Sequence, residues 1–387
     1  MENKNEWRKI KLGEITTITM GQSPKSEFYN LTGEGMPFLQ GNRTFGKKFP
    51  FFDTYTTKIT KTAQKNDTIM SVRAPVGDLN LATTDICLGR GVCSLRMNNG
   101  NYEFLFYLLK YYSKQLSNNG NGTVFSSINR NEIYNLEINI PTNEIVQRKI
   151  AKILSDIDEK IELNNKINDN LEKLIFLIYQ NIFSNSIIKK ECKMNEYFDI
   201  SIGKTPPRKN QEYFSNNSNN NLWISILDMK SSGIYINKSS EYLTDEAIKK
   251  CNIKIIPKNT LLLSFKLTIG RIAITYLDKT TTNEAIAHFL TDKKGDTEYL
   301  YCYLKKFNFN TLGSTSSIAT AVNSKIIKEM PFIVPQKKDL ENFYNLVKPL
   351  FENIKNNQIE SEKLTNLKNY LLPKLMNGEI DVENIEL

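Results

Sequence analysis

The chain is poor in the residues that most enzymatic chemistry needs. Among 387 residues there is a single histidine, His288, and there are only five cysteines. Cys87, Cys93, Cys192, Cys251 and Cys302 are scattered and form no C-x-x-C. Neither a zinc site of the usual Cys/His type nor a redox dithiol is therefore expected. An odd number of thiols without a disulfide framework predicts a reducing, cytoplasmic setting. No run of eighteen apolar residues occurs, so no transmembrane helix is expected. The polar opening Met1-Glu-Asn-Lys-Asn-Glu-Trp7 lacks the apolar core of a signal peptide. Nucleotide motifs are missing too. There is no G-x-x-x-x-G-K-[ST] loop, and Gly89-Arg-Gly91 lacks the third glycine of a dinucleotide site. No N-P-P-[FYW] appears, the motif an adenine N6 methyltransferase would need. Asp156-Ile-Asp-Glu-Lys160 holds close carboxylates, but helical spacing assigns them to solvent faces. His288 follows the apolar run Ala285-Ile-Ala287 and reads as a packed residue. No catalytic residue, metal site or cofactor is assigned to the chain.

What is present is a repeat. Ile150, Leu154, Ile157, Ile161, Leu171, Ile175, Ile178 and Ile182 recur at alternating spacings of four and three, the seam of a helix packed along a partner helix. Asn164 and Asn168 interrupt it. A second seam lies 193 residues on, through Phe343, Val347, Leu350, Ile354, Asn357, Ser361, Leu364, Leu371 and Leu375, with a misfit at Lys368. The remainder of the chain repeats in the same order. Ile202-Gly-Lys-Thr-Pro206 answers Met20-Gly-Gln-Ser-Pro24, and Leu222–Lys230 answers Met36–Arg43. Thr260–Gly270 answers Asp67–Gly77, Thr297–Lys305 answers Asn101–Leu109 at the start of the aromatic-rich helix Tyr102–Ser113, and Asn323–Pro335 answers Asn129–Pro141. The offset grows along the way, which places an inserted loop in the asparagine-rich stretch Asn216–Asn221. Trp7–Ile18 reads as one strand.

The fold class expected is α/β (α+β) and internally duplicated. Two globules, 1–141 and 189–335, alternate with helical segments, 142–188 and 336–387. Antiparallel packing of the two helices would bring the polar pairs Asn164/Asn168 and Asn357/Ser361 together, fixing register at some cost in stability. The first seam spans roughly 50 Å at about 1.5 Å per residue.

Net charge is +9, and its placement is informative. The four segments in order carry +5, −1, +7 and −2. Two basic bodies joined by nearly neutral helices fit a long polyanion. With one turn of duplex DNA at about 34–36 Å, the expected ligand is double-stranded DNA read at two sites with an unread gap. Base readout needs polar side chains on loops that reach the groove. In the first globule the candidates are Gln22, Lys25, Gln40, Asn42, Arg43 and Arg73, with Thr123 and Ser126 in the loop Asn118–Ser127. In the second they are Lys204, Arg208, Lys209, Asp228, Lys230, Lys266 and Arg271. Arg73 and Lys266 follow the same strand in each half and read as phosphate contacts. The two halves differ at nearly all of these positions, so they should read different half-sites. A single-chain DNA-modifying enzyme and a coiled-coil scaffold without DNA specificity are the alternatives. Salt-sensitive DNA binding separates the second from the leading reading.

Four stretches carry a family resemblance. They are Trp7-Arg-Lys-Ile-Lys-Leu-Gly-Glu-Ile15, the turns Gly21-x-Ser-Pro24 and Gly203-x-Thr-Pro206, Pro141-x5-Gln147-x2-Ile150, and Leu371-Leu-x2-Leu-x2-Gly-Glu-Ile380. Together they resemble the specificity subunits of type I restriction–modification systems, across the whole chain. The second helix departs from the pattern: it lacks the matching glutamine and carries Pro349, so it either begins near that proline or kinks there. The resemblance implies two target-recognition domains, each reading half of a split DNA sequence, and helical spacers that dock two methyltransferase subunits. Motor–nuclease subunits would join for restriction. Catalysis, with S-adenosylmethionine, ATP and Mg, would belong to those partners.

Overall fold

The computed structural model describes residues 7–118, 127–184, 190–312, 322–383 and 385. The chain divides into two compact units, Met1–Ile161 with Lys363–Leu387, and Glu162–Glu362. Each unit therefore owns a globule and part of each long helix.

In the first unit, strands Thr16–Met20, Val92–Met97, Thr68–Ser71 and Leu79–Leu81 form an antiparallel sheet in that order. Helix Tyr102–Asn118 covers it, burying Phe104, Leu105, Leu108 and Leu109 completely. A second sheet carries Met36–Leu39 parallel to Ile86–Leu88. A two-stranded ladder, Trp7–Lys11 with Glu137–Pro141, leads into the first long helix, Glu144–Phe183. The stretch expected as one strand, Trp7–Ile18, is broken by a one-turn helix at Leu12–Ile15. Leu12 is fully buried there, and its N–H reaches Leu136 O at 2.8 Å. Alternation alone could not reveal that turn.

The second unit repeats the plan. Asp199–Ile202, Ile286–Leu290, Leu261–Ser264 and Ile272–Thr275 form the matching sheet, extended by Tyr235–Ile236. Asn221–Ile224 runs parallel to Thr280–Thr282, and Lys190–Lys193 pairs with Pro331–Val334. Met194–Tyr197 is the one-turn helix again.

The insertion lies elsewhere than expected. Tyr29 and Phe214 hold equivalent pairings, as do Met36 and Asn221, each 185 positions apart. The asparagine-rich stretch between them therefore adds nothing. Thr56 and Leu243 stand 187 apart, whereas Ala63 and Ile256, at matching pairings, stand 193 apart. The six extra residues correspond to helix Asp245–Lys250, capped by Thr244 and packed through Ala247.

The second long helix runs unbroken from Lys337 to Met376. It starts twelve residues before Pro349, so a start at that proline is excluded. At 40 residues each, both helices are about 60 Å long. In the first unit Ile150, Leu154 and Ile157 are buried, and Ile161, Leu364 and Leu371 half-buried. In the second unit Asn164, Val347 and Ile354 are buried, and Asn168, Leu171, Ile178, Leu350 and Asn357 half-buried. The polar pairs meet antiparallel: Asn164 Nδ2 donates to Glu360 Oε2 at 2.7 Å and Ser361 Oγ at 3.3 Å, and Asn357 Nδ2 donates to Asn168 Oδ1 at 2.9 Å.

Lys368, the misfit of the second seam, pairs with Asp158 in the first unit. Asp158 is thus not on a solvent face as helical spacing suggested. Its side chain is 11% exposed and also accepts from Tyr107 Oη at 2.8 Å. Removing the cation alone leaves a largely buried carboxylate short of a partner. Lys368→Met is expected to lower the unfolding free energy by roughly 2 kcal/mol in urea titration. Adding Asp158→Asn, which keeps an acceptor for Tyr107, should restore most of it.

Candidate nucleic-acid interface

In the first unit the loops at one end of the sheets converge. Gln22 and Lys25 follow strand Thr16–Met20, Gln40, Asn42 and Arg43 follow Met36–Leu39, and Arg73 follows Thr68–Ser71. Three adjoining depressions share Gln40. One is lined by Gln22 and Lys25, one by Asn42 and Arg43, and one by Asn42 and Arg73.

Local chemistry holds these loops. Gly21 lies so close to the neighbouring turn that a Cβ would fall 2.1 Å from Gly89 O. Its N–H bonds Val92 O at 3.0 Å. Buried Ser71 donates to Pro75 O at 2.6 Å and accepts from Asp78 N–H at 2.9 Å, closing the loop that carries Arg73. Gly77 completes it at φ +91°, a conformation that favours glycine. Ser264 does the same in the second unit, with Thr268 O at 2.7 Å and Arg271 N–H at 3.1 Å, and Gly270 at φ +90°. Lys266 sits on that loop, as Arg73 does on the first.

The candidates differ in what their polar atoms already do. Arg43 forms a fork with Asp53 at 2.7 and 2.8 Å, which raises the Arg43 pKa and lowers that of Asp53. Asn42 donates to Asp78 at 2.7 Å. Lys25 stands 4.0 Å from Glu27. Gln22, Gln40 and Arg73 have exposed side chains with no hydrogen bond or ion pair among the described residues.

In the second unit Arg208 forks onto Glu241 at 2.8 Å twice, over the rings of Phe214 and Trp223 at 4.3 and 4.8 Å. The Asp228 carboxylate caps its own helix, accepting from Ser225 and from Ser240 N–H and Oγ. Lys204 donates to Cys251 O at 2.6 Å, and Arg271 donates to Ile226 O at 2.5 Å. Arg208, Asp228, Lys204 and Arg271 thus spend polar atoms on the fold, while Lys209 and Lys230 stay exposed and unpaired among the described residues, and exposed Lys266 lies over the Phe265 ring at 6.0 Å. Arg208 and Lys266 lie near Glu284, whereas Asp228 and Lys230 stand on helix Ile226–Ser231, whose first residue accepts from Arg271. Thr123 and Ser126 fall outside the described residues.

Two residues near these clusters escaped the sequence reading. Arg90 lines two of the depressions beside Gln22, Gln40 and Arg73. Its signal was the Gly89-Arg-Gly91 turn, tested only for a nucleotide motif. Glu284 accepts from Thr205 Oγ1. Partial burial pushes its carboxyl up, but the Thr205 hydroxyl and the charges of Lys266 and Arg208 hold it below its usual value.

The family model for the type I restriction modification DNA specificity domain matches residues 4–173 and 188–363. The chain belongs to this family. The duplication is thus two copies of the specificity domain. The putative MjaX specificity subunit of Methanocaldococcus jannaschii is 39% identical over 44% of this chain and 41% of its own length. The MjaIX specificity subunit of the same organism is 24% identical over 98% of this chain and 95% of its own length. The crystal structure of an S subunit from M. genitalium shares the fold, with TM-score 0.61 at 18% identity and 97% of both chains covered. Among the described residues of this specificity chain, no helix is long and apolar enough to cross a membrane. No group of three or more His, Cys, Asp and Glu side chains is placed to hold a metal.

His288 lies beside the second loop cluster and is fully buried, between Ser201 Oγ at 3.0 Å and Thr282 Oγ1 at 2.6 Å. Burial lowers its pKa to about 3. In the unfolded chain it titrates near about 6.5. A depressed native pKa contributes stability above the unfolded value that is lost as pH falls toward the native one. Relative to His288→Gln, the parent chain should therefore lose about 1.4 kcal/mol of unfolding free energy between about pH 7.5 and 5.5, read by urea titration at each pH.

Proposed function

We propose that this chain is the DNA-reading, non-catalytic subunit of a type I restriction–modification complex. Each unit reads one half of a split sequence through its loop cluster. The observation that carries this reading is the duplicated loop platform. The same bonds hold the loops in both units, from the N–H of Gly21 or Gly203 and from the hydroxyl of Ser71 or Ser264, while the exposed side chains differ. A conserved scaffold with exchanged tips is what two half-sites of different sequence require. Exposed Gln22, Gln40 and Lys230 suit base edges, and Arg73, Lys209 and Lys266 suit phosphates. Arg43, Arg208 and Asp228 brace their loops.

The partners fit the long helices. In the second unit Leu163, Ile167, Leu174 and Leu177 are exposed at heptad spacing on the first long helix, away from its seam. Leu367 and Tyr370, exposed in the first unit, occupy the positions of Leu174 and Leu177 on the second long helix. Such repeated apolar pairs suit one methyltransferase subunit each. Motor–nuclease subunits complete the restricting complex. S-adenosylmethionine, ATP and Mg belong to the partners, and the setting is the cytoplasm.

The test is sequencing of methylated adenines in cells with and without the gene. A split motif should lose methylation on deletion, and exchange of residues 189–335 for those of a relative should alter one half of it only. Unchanged methylation would overturn the reading. Purified chain should also bind duplex DNA with an affinity that falls steeply between 50 and 200 mM salt, by about 10³-fold or more if six phosphates are contacted. Leu174→Glu with Leu177→Glu should leave that binding intact and abolish co-purification of the methyltransferase subunit.

A further inference from the structure

The two units place residues of opposite charge at one equivalent, tightly held position. Gly21 N–H donates to Val92 O at 3.0 Å, and Gly203 N–H to Ile286 O at 3.1 Å. Gln22 N–H donates to Leu88 O at 2.8 Å, and Lys204 N–H to Thr282 O at 2.9 Å. Residues 88–92 and 282–286 are therefore the same turn, with Arg90 in one copy and Glu284 in the other.

The turn is pinned from both sides. Gly89 N–H bonds Leu39 O at 2.8 Å, and Asn283 N–H bonds Ile224 O at 3.0 Å. Val72 N–H bonds Gly91 O at 2.9 Å, as Phe265 N–H bonds Ala285 O at 2.9 Å. The turn also contacts the same residue of the G-x-[ST]-P loop. Ser23 Oγ accepts from Arg90 N–H at 3.1 Å, and Thr205 Oγ1 donates to the Glu284 carboxylate. Both side chains are exposed, and neither forms an ion pair among the described residues. A side chain on so constrained a backbone is pre-organised for recognition.

We propose that Arg90 and Glu284 are matched base-reading residues, one per unit. This rests on the DNA-reading function proposed above. A guanidinium fork complements N7 and O6 of guanine, whereas a carboxylate can only accept, so it selects an exocyclic amino group, that of cytosine above all. A bare phosphate contact would explain an arginine but not the glutamate. Thr205 Oγ1 and the charges of Lys266 and Arg208 hold the Glu284 carboxylate ionised, and its exposed lone pairs remain able to accept from a base. Arg90 therefore selects guanine in one half-site, and Glu284 selects cytosine in the other.

The test uses the full chain and a pool of randomised duplexes. Bound duplexes are recovered at low salt and sequenced. The parent chain should show a preference for guanine at one position of one half and for cytosine at one position of the other, each roughly 5- to 100-fold. Arg90→Ala should erase the first alone and Glu284→Ala the second alone. Arg90→Gln and Glu284→Gln should each move the preference at their position to adenine, a switch that misfolding cannot produce. The assignment is overturned if the Gln variants leave every base preference unchanged, or if Arg90→Ala weakens all sequences alike and lowers the salt slope by about one. A parent chain with no base preference at all would overturn the DNA-reading function itself, and this assignment with it.

Discussion

The register of the two long helices is the constraint on which the rest depends. In the second unit Asn164 is 1% exposed and bonds Glu360 and Ser361, while Asn168 meets Asn357. In the first unit Lys368 meets Asp158, which also holds Tyr107. A slip of one heptad would set amides and charges against apolar side chains and leave each buried polar group unpaired. Each such group costs about 1–3 kcal/mol. Apolar seam residues supply adhesion that would tolerate several registers, so the polar contacts select one.

That register matters because the helices are part of the cores. Ile150, Leu154, Leu375 and Met376 pack with Phe104, Leu105 and Leu108 in the first unit. Ile175, Phe343, Val347, Phe351 and Ile354 pack with Tyr299, Tyr301 and Phe332 in the second. A helix shift would therefore disturb the aromatic helix beneath each sheet and, through the sheet, the loops at its end. The loops themselves are stiff for a local reason. A buried serine, a glycine at positive φ and a glycine without room for Cβ recur at matching positions in both units. Specificity can then vary by exchange of exposed tips on an unchanged frame, as Arg90 and Glu284 illustrate.

Much of this was legible in the chain. Periods of four and three, the two G-x-[ST]-P turns and the repeated order of blocks are local signals that survive without knowledge of tertiary contacts. They yielded the duplication, the two long helices and the loops on which Gln22, Gln40, Arg73 and Lys266 stand. Errors arose where the deciding partner is distant. Asp158 read as solvent-facing because Lys368 is 210 positions away. The insertion was placed in an asparagine-rich stretch by composition, whereas strand pairing puts it at Asp245–Lys250. Pro349 was read as a possible start of its helix, but the seam on either side of it carries the helix through.

The sequence by itself determined the class of protein: a duplicated, nearly histidine-free, basic chain with two heptad seams and no catalytic motif. Those properties depend on composition and short-range spacing. Only the tertiary structure decided which polar side chains remain available. Arg43 closes on Asp53, Arg208 on Glu241 and Asp228 on Ser225 and Ser240. Arg90 and Glu284, in contrast, emerge exposed on a pinned turn without an ion pair among the described residues, Glu284 taking one hydrogen bond from Thr205 Oγ1. A charged side chain is used up or left free according to what the fold brings within hydrogen-bonding distance, and spacing along the chain does not encode that.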